Sequence, residues 1–290
     1  MAALLAISSS FFYALTMIIA RFGLNETDSF SGGLISMFFS LIGALIVFAV
    51  VMPIHAIESR AILFFVAAGI SGPCIARLLL YVGINRLGSA ITSSVYSVKP
   101  LFAALAAVML LGEKITLSVS IGTLFIIAGL VIISSAKGDG RTTGSWSKTD
   151  LIFPILAGAG YGLAHVLRKL GLLINPEPVL GLLIQNIAAL SFPLLIASVQ
   201  KSKKKIRAWS TLRGWVIFGL AGISASIGQI CVLVALNMGN VVIVAPLATI
   251  SPLFVLLMAA LFLRDIERIT WKIGLGTCCI LVAAVLLSLS

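Results

Sequence analysis

The sequence contains an internal duplication, which limits the folds that the chain can adopt. Three landmarks of the first half return 152 positions later, as Pro100 and Pro252, Glu113 and Asp265, and Gly122 and Gly274. The tetrapeptide Ala-Gly-Ile-Ser at 68–71 is repeated at 221–224, an offset of 153 residues instead of 152. Because several coincidences share nearly one offset, the pattern predicts two copies of one structural unit.

The composition places this duplicated unit in a membrane. Hydrophobic residues make up 60% of the 290 residues, charged residues make up 10%, and the mean hydropathy is +1.19. Apolar runs of about 20 residues are long enough to cross a bilayer as helices. We identify ten such runs, at 4–22, 33–53, 61–83, 90–111, 117–136, 151–173, 179–199, 214–236, 241–263 and 269–289. The chain is therefore predicted to be a multi-pass integral protein of the cell membrane.

An odd number of spans in each copy fixes the relation between the copies. With five spans each, the two copies must cross the bilayer in opposite senses, which makes them inverted repeats. The predicted fold is an all-α membrane protein of ten transmembrane helices, built as two inverted five-helix repeats around a central cavity. The repeats occupy 1–136 and 151–290, and the hydrophilic segment 137–150 links them. The first span lacks a basic flank, so it is expected to be a retained helix rather than a signal peptide.

Inverted repeats indicate a carrier, because they give two equivalent ways to open a central site to either face. A passive channel remains an alternative. An intramembrane enzyme is a weaker one, since no acidic residue and only one histidine, His165, lies within a span. The chain has no phosphate-binding loop for a nucleotide-driven pump and no metal-ligand spacing around its four cysteines. No cofactor and no metal are predicted.

Several of these residues resemble those of the ten-span drug/metabolite transporter superfamily, in its EamA branch. The resemblance rests on the duplicated five-span unit, the Pro100 to Glu113 to Gly122 pattern, and Arg21 at the end of the first span. It covers essentially the whole chain. It implies a secondary transporter of small molecules, with a cavity formed by spans one, three, four, six, eight and nine.

The ionisable residues within the spans are basic, and they are the leading candidates for a binding site. A charge at this depth costs about 2.5 to 3.5 kcal/mol on insertion scales and usually faces a cavity or a partner. Lys99 lies near the middle of its span, directly before Pro100 and one turn after Tyr96. It is interpreted as a substrate anchor, with helix packing as the alternative. Arg77 either lines the cavity or extends to the headgroups, and His165 either lines the cavity or packs between helices.

Further polar residues complete the candidate cavity. Tyr13 and Tyr161 hold matching places in the two copies, and Gln229 and Thr249 are polar positions of the second copy. Gln229 is interpreted first as an interhelical hydrogen-bonding residue. Pro100 and Pro252 are predicted to break their helices. Glu113 and Asp265 are predicted to stabilise the start of the following helix rather than to carry protons.

The basic residues at the span ends bear on orientation and partners. Fourteen Lys and Arg residues follow odd-numbered spans, against four on the opposite face, Arg60, Lys114, Arg168 and Lys169. This charge bias places both termini outside, whereas the family resemblance implies termini inside. The basic run 201–207 is predicted to contact anionic lipid headgroups. No nucleic-acid partner is needed to explain the net charge of +11, and a monomer or weak dimer is expected.

Together these features predict a secondary transporter of small organic metabolites that works by alternating access. The substrate is expected to be anionic or zwitterionic, such as an amino acid, an organic acid or a phosphorylated metabolite. Basic residues in the spans would attract its carboxylate or phosphate. Export is the expected direction.

Overall fold

A computed structural model describes most of the chain as α-helix. The described residues are 1–51, 58–111, 117–134, 147–199, 211–238, 244, 247, 248, 250–263 and 270–288, and they contain no strand. Seven helical stretches among them are long and apolar enough to cross a membrane. Large apolar side chains cover their outer surface, as Met109 and Val50 show with exposed fractions of 84% and 78%. Such a surface requires a lipid environment.

The helices follow one another in the order that the sequence predicts. They are α1 (Ala2–Gly23), α2 (Ser29–Val51), α3 (Ser59–Gly69), a π-helical turn (Ile70–Ala76), α4 (Arg77–Leu87), α5 (Ser89–Tyr96), α6 (Lys99–Leu111), α7 (Leu117–Ser134), a 3₁₀ turn (Lys148–Leu151), α8 (Ile152–Ile174), α9 (Pro178–Val199), α10 (Leu212–Met238), α11 (Ser251–Phe262) and α12 (Trp271–Ser288). The third predicted span corresponds to α3, the π-helical turn and α4 together, and the fourth to α5 and α6.

Two predicted boundaries differ from the observed ones for local reasons. The third span extends to Leu87, and Gly88, with a φ of 86°, turns the chain directly into α5. Only glycine adopts such a φ without strain. At the second boundary, the last residues of the predicted hydrophilic linker already belong to the sixth span. Ser147 and Asp150 form a reciprocal capping box there, and Asp150 also accepts a hydrogen bond of 2.7 Å from Arg86.

Both predicted proline breaks are present, and they have the same hydrogen-bond pattern. Around Pro100, the amides of Val98 and Leu101 donate to the carbonyls three residues earlier, at 3.2 and 3.0 Å. Around Pro252, the amides of Ile250 and Leu253 do the same, at 3.4 and 3.0 Å. A proline has no N–H for the carbonyl four residues before it. Each break therefore leaves one backbone carbonyl without its helical donor.

The described helices of the two halves pack mainly on each other. Helix α1 packs against α10, and α8 packs against α3; α1 also contacts α11, while α8 contacts α6. Helices α2 and α10 are in contact, as are α9 and α3, and α7 packs along α12. Every one of these pairs has its counterpart when the first and second halves are exchanged. The interface between the halves thus forms the protein interior.

Candidate functional site

Three tyrosines from different helices mark the centre of this interior. Tyr161 of α8 lies between Tyr96 of α5 and Tyr13 of α1, with ring centroids 5.5 and 6.4 Å apart and edge-to-face geometry. The hydroxyl of Tyr13 is buried and has no hydrogen-bond partner. The structure therefore brings together the three tyrosines that the sequence selected from distant positions, and it leaves one hydroxyl available.

Lys99 lies beside this tyrosine group and bridges the two halves. Its side chain is only 3% exposed, and its Nζ lies 4.7 Å from the centre of the Tyr96 ring. Nζ donates a hydrogen bond of 3.2 Å to the carbonyl of Ala248. That carbonyl lies four residues before Pro252, so it is the acceptor that the second proline break releases. An ammonium group has three donors, and this bond uses one of them.

Arg77 is buried rather than extended to the headgroups, so the headgroup alternative is wrong. Its side chain is 2% exposed, and its Nη1 donates to Ser40 at 2.9 Å and to Ser36 at 3.4 Å. The Tyr81 hydroxyl donates to the same Ser36 oxygen at 2.9 Å. These contacts hold the guanidinium against α2, and they leave Nη2 buried without a hydrogen-bond partner.

Arg168 is a further buried cation, which sequence reasoning assigned incorrectly to the membrane surface. Its side chain is 0% exposed. Its Nε donates a hydrogen bond of 2.8 Å to Oε1 of Gln185, while Nη1 and Nη2 have no partner. The neighbouring Lys169 is the one that behaves as a peripheral residue, since it is partly buried and donates to the carbonyl of Leu236.

A hydrogen-bond network between α9 and α10 holds the partner of Arg168 in place. Nε2 of Gln185 donates to Oε1 of Gln229 at 2.9 Å, and Nδ2 of Asn186 donates to the same oxygen at 3.1 Å. Gln229 is therefore an interhelical hydrogen-bonding residue, as predicted. It joins α9 to α10, and through Gln185 it fixes the position of the Arg168 side chain on α8.

Close backbone packing brings these helices together around the site. An added Cβ at Gly72, in the π-helical turn, would lie 2.9 Å from the Ala164 Cβ and 3.5 Å from Nη2 of Arg168. At Gly162 an added Cβ would lie 2.7 Å from the Lys99 carbonyl. Through Gly162, α8 packs closely on the chain at the Lys99–Pro100 break. Pro73 lies within the π-helical turn, a helix distortion that is often found at functional sites.

The remaining predicted residues fall in two groups. His165 is buried, 6% exposed, and close enough to Arg168 and Lys99 to experience their charges. Thr249, Glu113, Asp265 and the basic run 201–207 lie outside the described residues. A separate groove of about 560 Å³, lined by Val66 and Phe192 among others, is apolar and contains none of the predicted residues.

The described carboxylates lie away from the buried cations. Glu26, Asp28, Glu58, Asp150 and Glu177 all lie at helix ends or in connecting segments. Asp28 accepts hydrogen bonds from the amides of Phe30 and Ser31 at the start of α2, at 3.0 Å each. Partial burial opposes ionisation of this carboxyl, but these bonds lower its pKa below the ordinary value of 3.8. Within the described chain, no group of three His, Cys, Asp or Glu residues could hold a metal.

Helical spacing indicates the interior position of Arg168, whereas its place near the end of a span does not. Positions 161, 165 and 168 are separated by four and then three residues, which places their side chains on one face of α8. Lys169 is rotated by about 100° from that face. Ser36 and Ser40, four residues apart in an apolar span, carry the same signal. Gln185 and Asn186 are adjacent residues, so spacing gives no indication of their role.

Comparisons with known proteins agree with this architecture. The sequence model of the EamA-like transporter family matches residues 1–135 and 149–289. A solved structure titled only as the crystal structure of a protein superposes with a TM-score of 0.67, at 13% sequence identity, covering 98% of this chain and 95% of the other. At this identity the likeness concerns the fold alone. No curated protein matches the sequence.

Proposed function

Since the chain belongs to the EamA-like transporter family, within the drug/metabolite transporter superfamily, we propose that it is an alternating-access secondary transporter of small organic anions. The family consists of multi-pass membrane transporters rather than enzymes. The finer assignment concerns the mechanism, the charge of the substrate and the direction of transport. Each of these has its own support and its own test.

The support for a negatively charged substrate is that Lys99, Arg77 and Arg168 have no carboxylate partner among the described residues. Each of the three is no more than 3% exposed, and the described carboxylates lie at helix ends or in connecting segments. A buried charge is costly unless it is paired. Their described partners are neutral carbonyl, hydroxyl and amide oxygens. A negatively charged substrate would supply the missing counter-charge.

The exchange of helix contacts between the halves supports alternating access. The pairs α1 with α10 and α8 with α3 occupy equivalent places in the two halves, and the two proline breaks share one hydrogen-bond pattern. This arrangement is expected of ten spans in two inverted repeats of 1–136 and 151–290, which can rock about a central site. Lys99 lies at the junction of the halves and donates a hydrogen bond across it to the carbonyl of Ala248.

Trans-stimulation tests this mechanism. Purified protein in proteoliposomes would be preloaded with an unlabelled organic acid, and uptake of the same labelled acid would be measured against empty vesicles. A carrier exchanges faster than it returns empty, so preloading should increase the initial rate several-fold. Equal rates would support the passive channel instead. Release of the labelled acid from loaded cells, compared with cells lacking the protein, tests the proposed direction of export.

Orientation needs a separate experiment, since charge bias and family resemblance point in opposite directions. Ser202 follows the seventh predicted span, on the face that carries most of the basic residues, whereas Ser290 follows the tenth predicted span, on the opposite face. In intact cells, an impermeant maleimide would label a cysteine introduced at position 202 only if the basic face is external, and one introduced at position 290 only if the basic face is cytoplasmic. If the face is cytoplasmic, the run 201–207 can contact the anionic inner leaflet, as proposed from its charge.

A further inference from the structure

Arg168 has the contacts of a ligand-binding residue, and we infer that it anchors a doubly charged anion, such as a dicarboxylate or a phosphate monoester, together with Lys99 and Arg77. This inference rests on the proposed function and narrows the substrate class within it. It assigns a binding role to Arg168 and a positioning role to Gln185.

The Arg168 guanidinium is held in one orientation by Gln185. A guanidinium has five N–H donors in a planar fork. In Arg168 the Nε donor is engaged by Gln185 at 2.8 Å, while both Nη atoms are fully buried and have no partner. The two Nη groups form the edge that binds a carboxylate or phosphate through two parallel hydrogen bonds. Gln185 therefore orients the guanidinium and leaves this edge free.

The free edge of the Arg168 guanidinium lies close to the π-helical turn. Nη2 lies 3.5 Å from the position of a Cβ at Gly72, where the absence of a side chain keeps the π-helical turn close to Tyr161 and Arg168. The same Cβ position lies 3.3 Å from Cδ1 of Tyr161, and Tyr161 contacts Tyr96, over which Nζ of Lys99 lies. The free edge thus belongs to the site that contains the tyrosines, rather than to a separate structural contact.

The positive charges of the buried Arg168, Arg77 and Lys99 side chains need a compensating negative charge. Nη2 of Arg77 is also buried and unpartnered, and Lys99 has donors beyond its bond to Ala248. Three cations in one interior repel one another unless anionic charge compensates them. A zwitterion brings no net charge, and its ammonium group would be far from the described carboxylates, which lie at helix ends or in connecting segments. A dianion compensates two of the three cations and meets no like charge.

Binding to the purified full chain in detergent distinguishes these classes. Succinate, inorganic phosphate, lactate and alanine would each be titrated by calorimetry at pH 7.5. We expect succinate or phosphate to bind at least ten-fold more tightly than lactate, and alanine to bind weakest. The succinate and phosphate results separate a carboxylate ligand from a phosphate ligand. Tighter binding of alanine, or no binding of either dianion at millimolar concentration, would overturn the inference.

Two substitutions test the roles of the residues. Arg168→Lys keeps the charge but removes the planar fork, and it should weaken dianion binding at least ten-fold. Gln185→Glu places a carboxylate against Nε and so compensates Arg168 internally. It should lower the preference for the dianion over lactate, and a cooperative melting transition would show that the variant is folded despite the lost hydrogen bond from Gln185 to Gln229. Arg60→Lys, at an exposed position on α3, is the matched control and should bind as the parent does.

The results separate this inference from the proposed function. An unchanged dianion affinity in Arg168→Lys, or an unchanged dianion-to-lactate ratio in folded Gln185→Glu, would exclude the assigned roles. If alanine or lactate shows trans-stimulated exchange and the dianions do not, the transporter proposal stands and the dianion site is wrong. If no substrate exchanges, the transport mechanism itself is wrong.

Discussion

Two glycines that correspond in the duplicated sequence make close backbone contacts between the halves. Gly69, at the end of α3, faces the backbone of Gln185 on α9, and Gly222 of α10 faces the backbone of Ser36 on α2. An added Cβ at Gly69 would lie 2.8 Å from the Gln185 Cα, and one at Gly222 would lie 2.8 Å from the Phe39 Cβ. In both cases a backbone carbonyl oxygen lies closer still. Alanine at either position should therefore destabilise the protein.

The size of the effect follows from these distances. Ordinary Cβ contacts begin at 3.4 Å, so the facing helix must withdraw by roughly 0.6 Å or more. Overpacking of this kind costs about 1–3 kcal/mol, against a gain of roughly 0.5–1 kcal/mol from replacing a helical glycine with alanine. The net loss is about 1–2 kcal/mol for each substitution. For a chain of this size that corresponds to a decrease of about 2–8 °C in melting temperature.

The matched control is Gly274→Ala on α12, because no heavy atom lies within 4 Å of a Cβ added there. This variant should melt at or slightly above the parent temperature. All three variants would be compared by the intrinsic fluorescence of purified protein in detergent during heating. If Gly69→Ala and Gly222→Ala melt like Gly274→Ala, the helices are not in the close contact described. If only one of them is destabilised, the two contacts are not equivalent.

Three further predictions concern the site and the helix ends. Lys99→Gln should weaken anion binding by roughly 10- to 100-fold, which is the equivalent of one charge-assisted hydrogen bond. The yield of folded protein should not change. Normal uptake of the anion into proteoliposomes would show that Lys99 is not part of the site. Pro252→Ala gives the Ala248 carbonyl a helical donor, so it should release Lys99 and tighten anion binding in the same titration; weaker binding would show that the carbonyl positions Lys99 instead of competing for it. Asp28→Ala removes the acceptor for the amide of Ser31 and should cost about 1 kcal/mol at neutral pH. Because the folded pKa of Asp28 is lowered below 3.8, this difference should be fully present above pH 3.8 and decrease as the pH falls through the folded pKa. Melting curves over an acidic pH series would detect the decrease, and a difference that does not change with pH would contradict the role of the ionised carboxylate.

The helices and the proline breaks could be predicted because they depend on local properties of the sequence. Apolar length determines which segments can cross a bilayer, and the missing N–H of proline interrupts a helix wherever it occurs in its interior. Pro100 and Pro252 were identified on this basis, and both lie at observed breaks. The tyrosine group was predicted less directly, since it required the assumption that the two halves face each other.

The incorrect assignment of Arg168 shows the limit of such reasoning. Two adjacent basic residues near the end of a span suggest an interfacial pair, but a helix turns by about 100° per residue. Arg168 therefore faces the interior while Lys169 lies at the periphery. Its partner Gln185 comes from another helix, and no local pattern specifies which helices become neighbours. The partners of Arg77, Ser36 and Ser40, were missed for the same reason.

The hydrogen bond from Lys99 to Ala248 also distinguishes the two halves from each other. In the first half, the carbonyl released by Pro100 belongs to Tyr96 and lies against Gly158, 3.1 Å from the position of an added Cβ. In the second half, the corresponding carbonyl holds the ammonium of Lys99. The duplicated breaks thus form an asymmetric contact, in which one copy supplies the ammonium donor and the other supplies the carbonyl acceptor. An anion that draws the ammonium away would break this hydrogen bond between the copies. Binding of the anion and weakening of the interface between the copies would then be coupled.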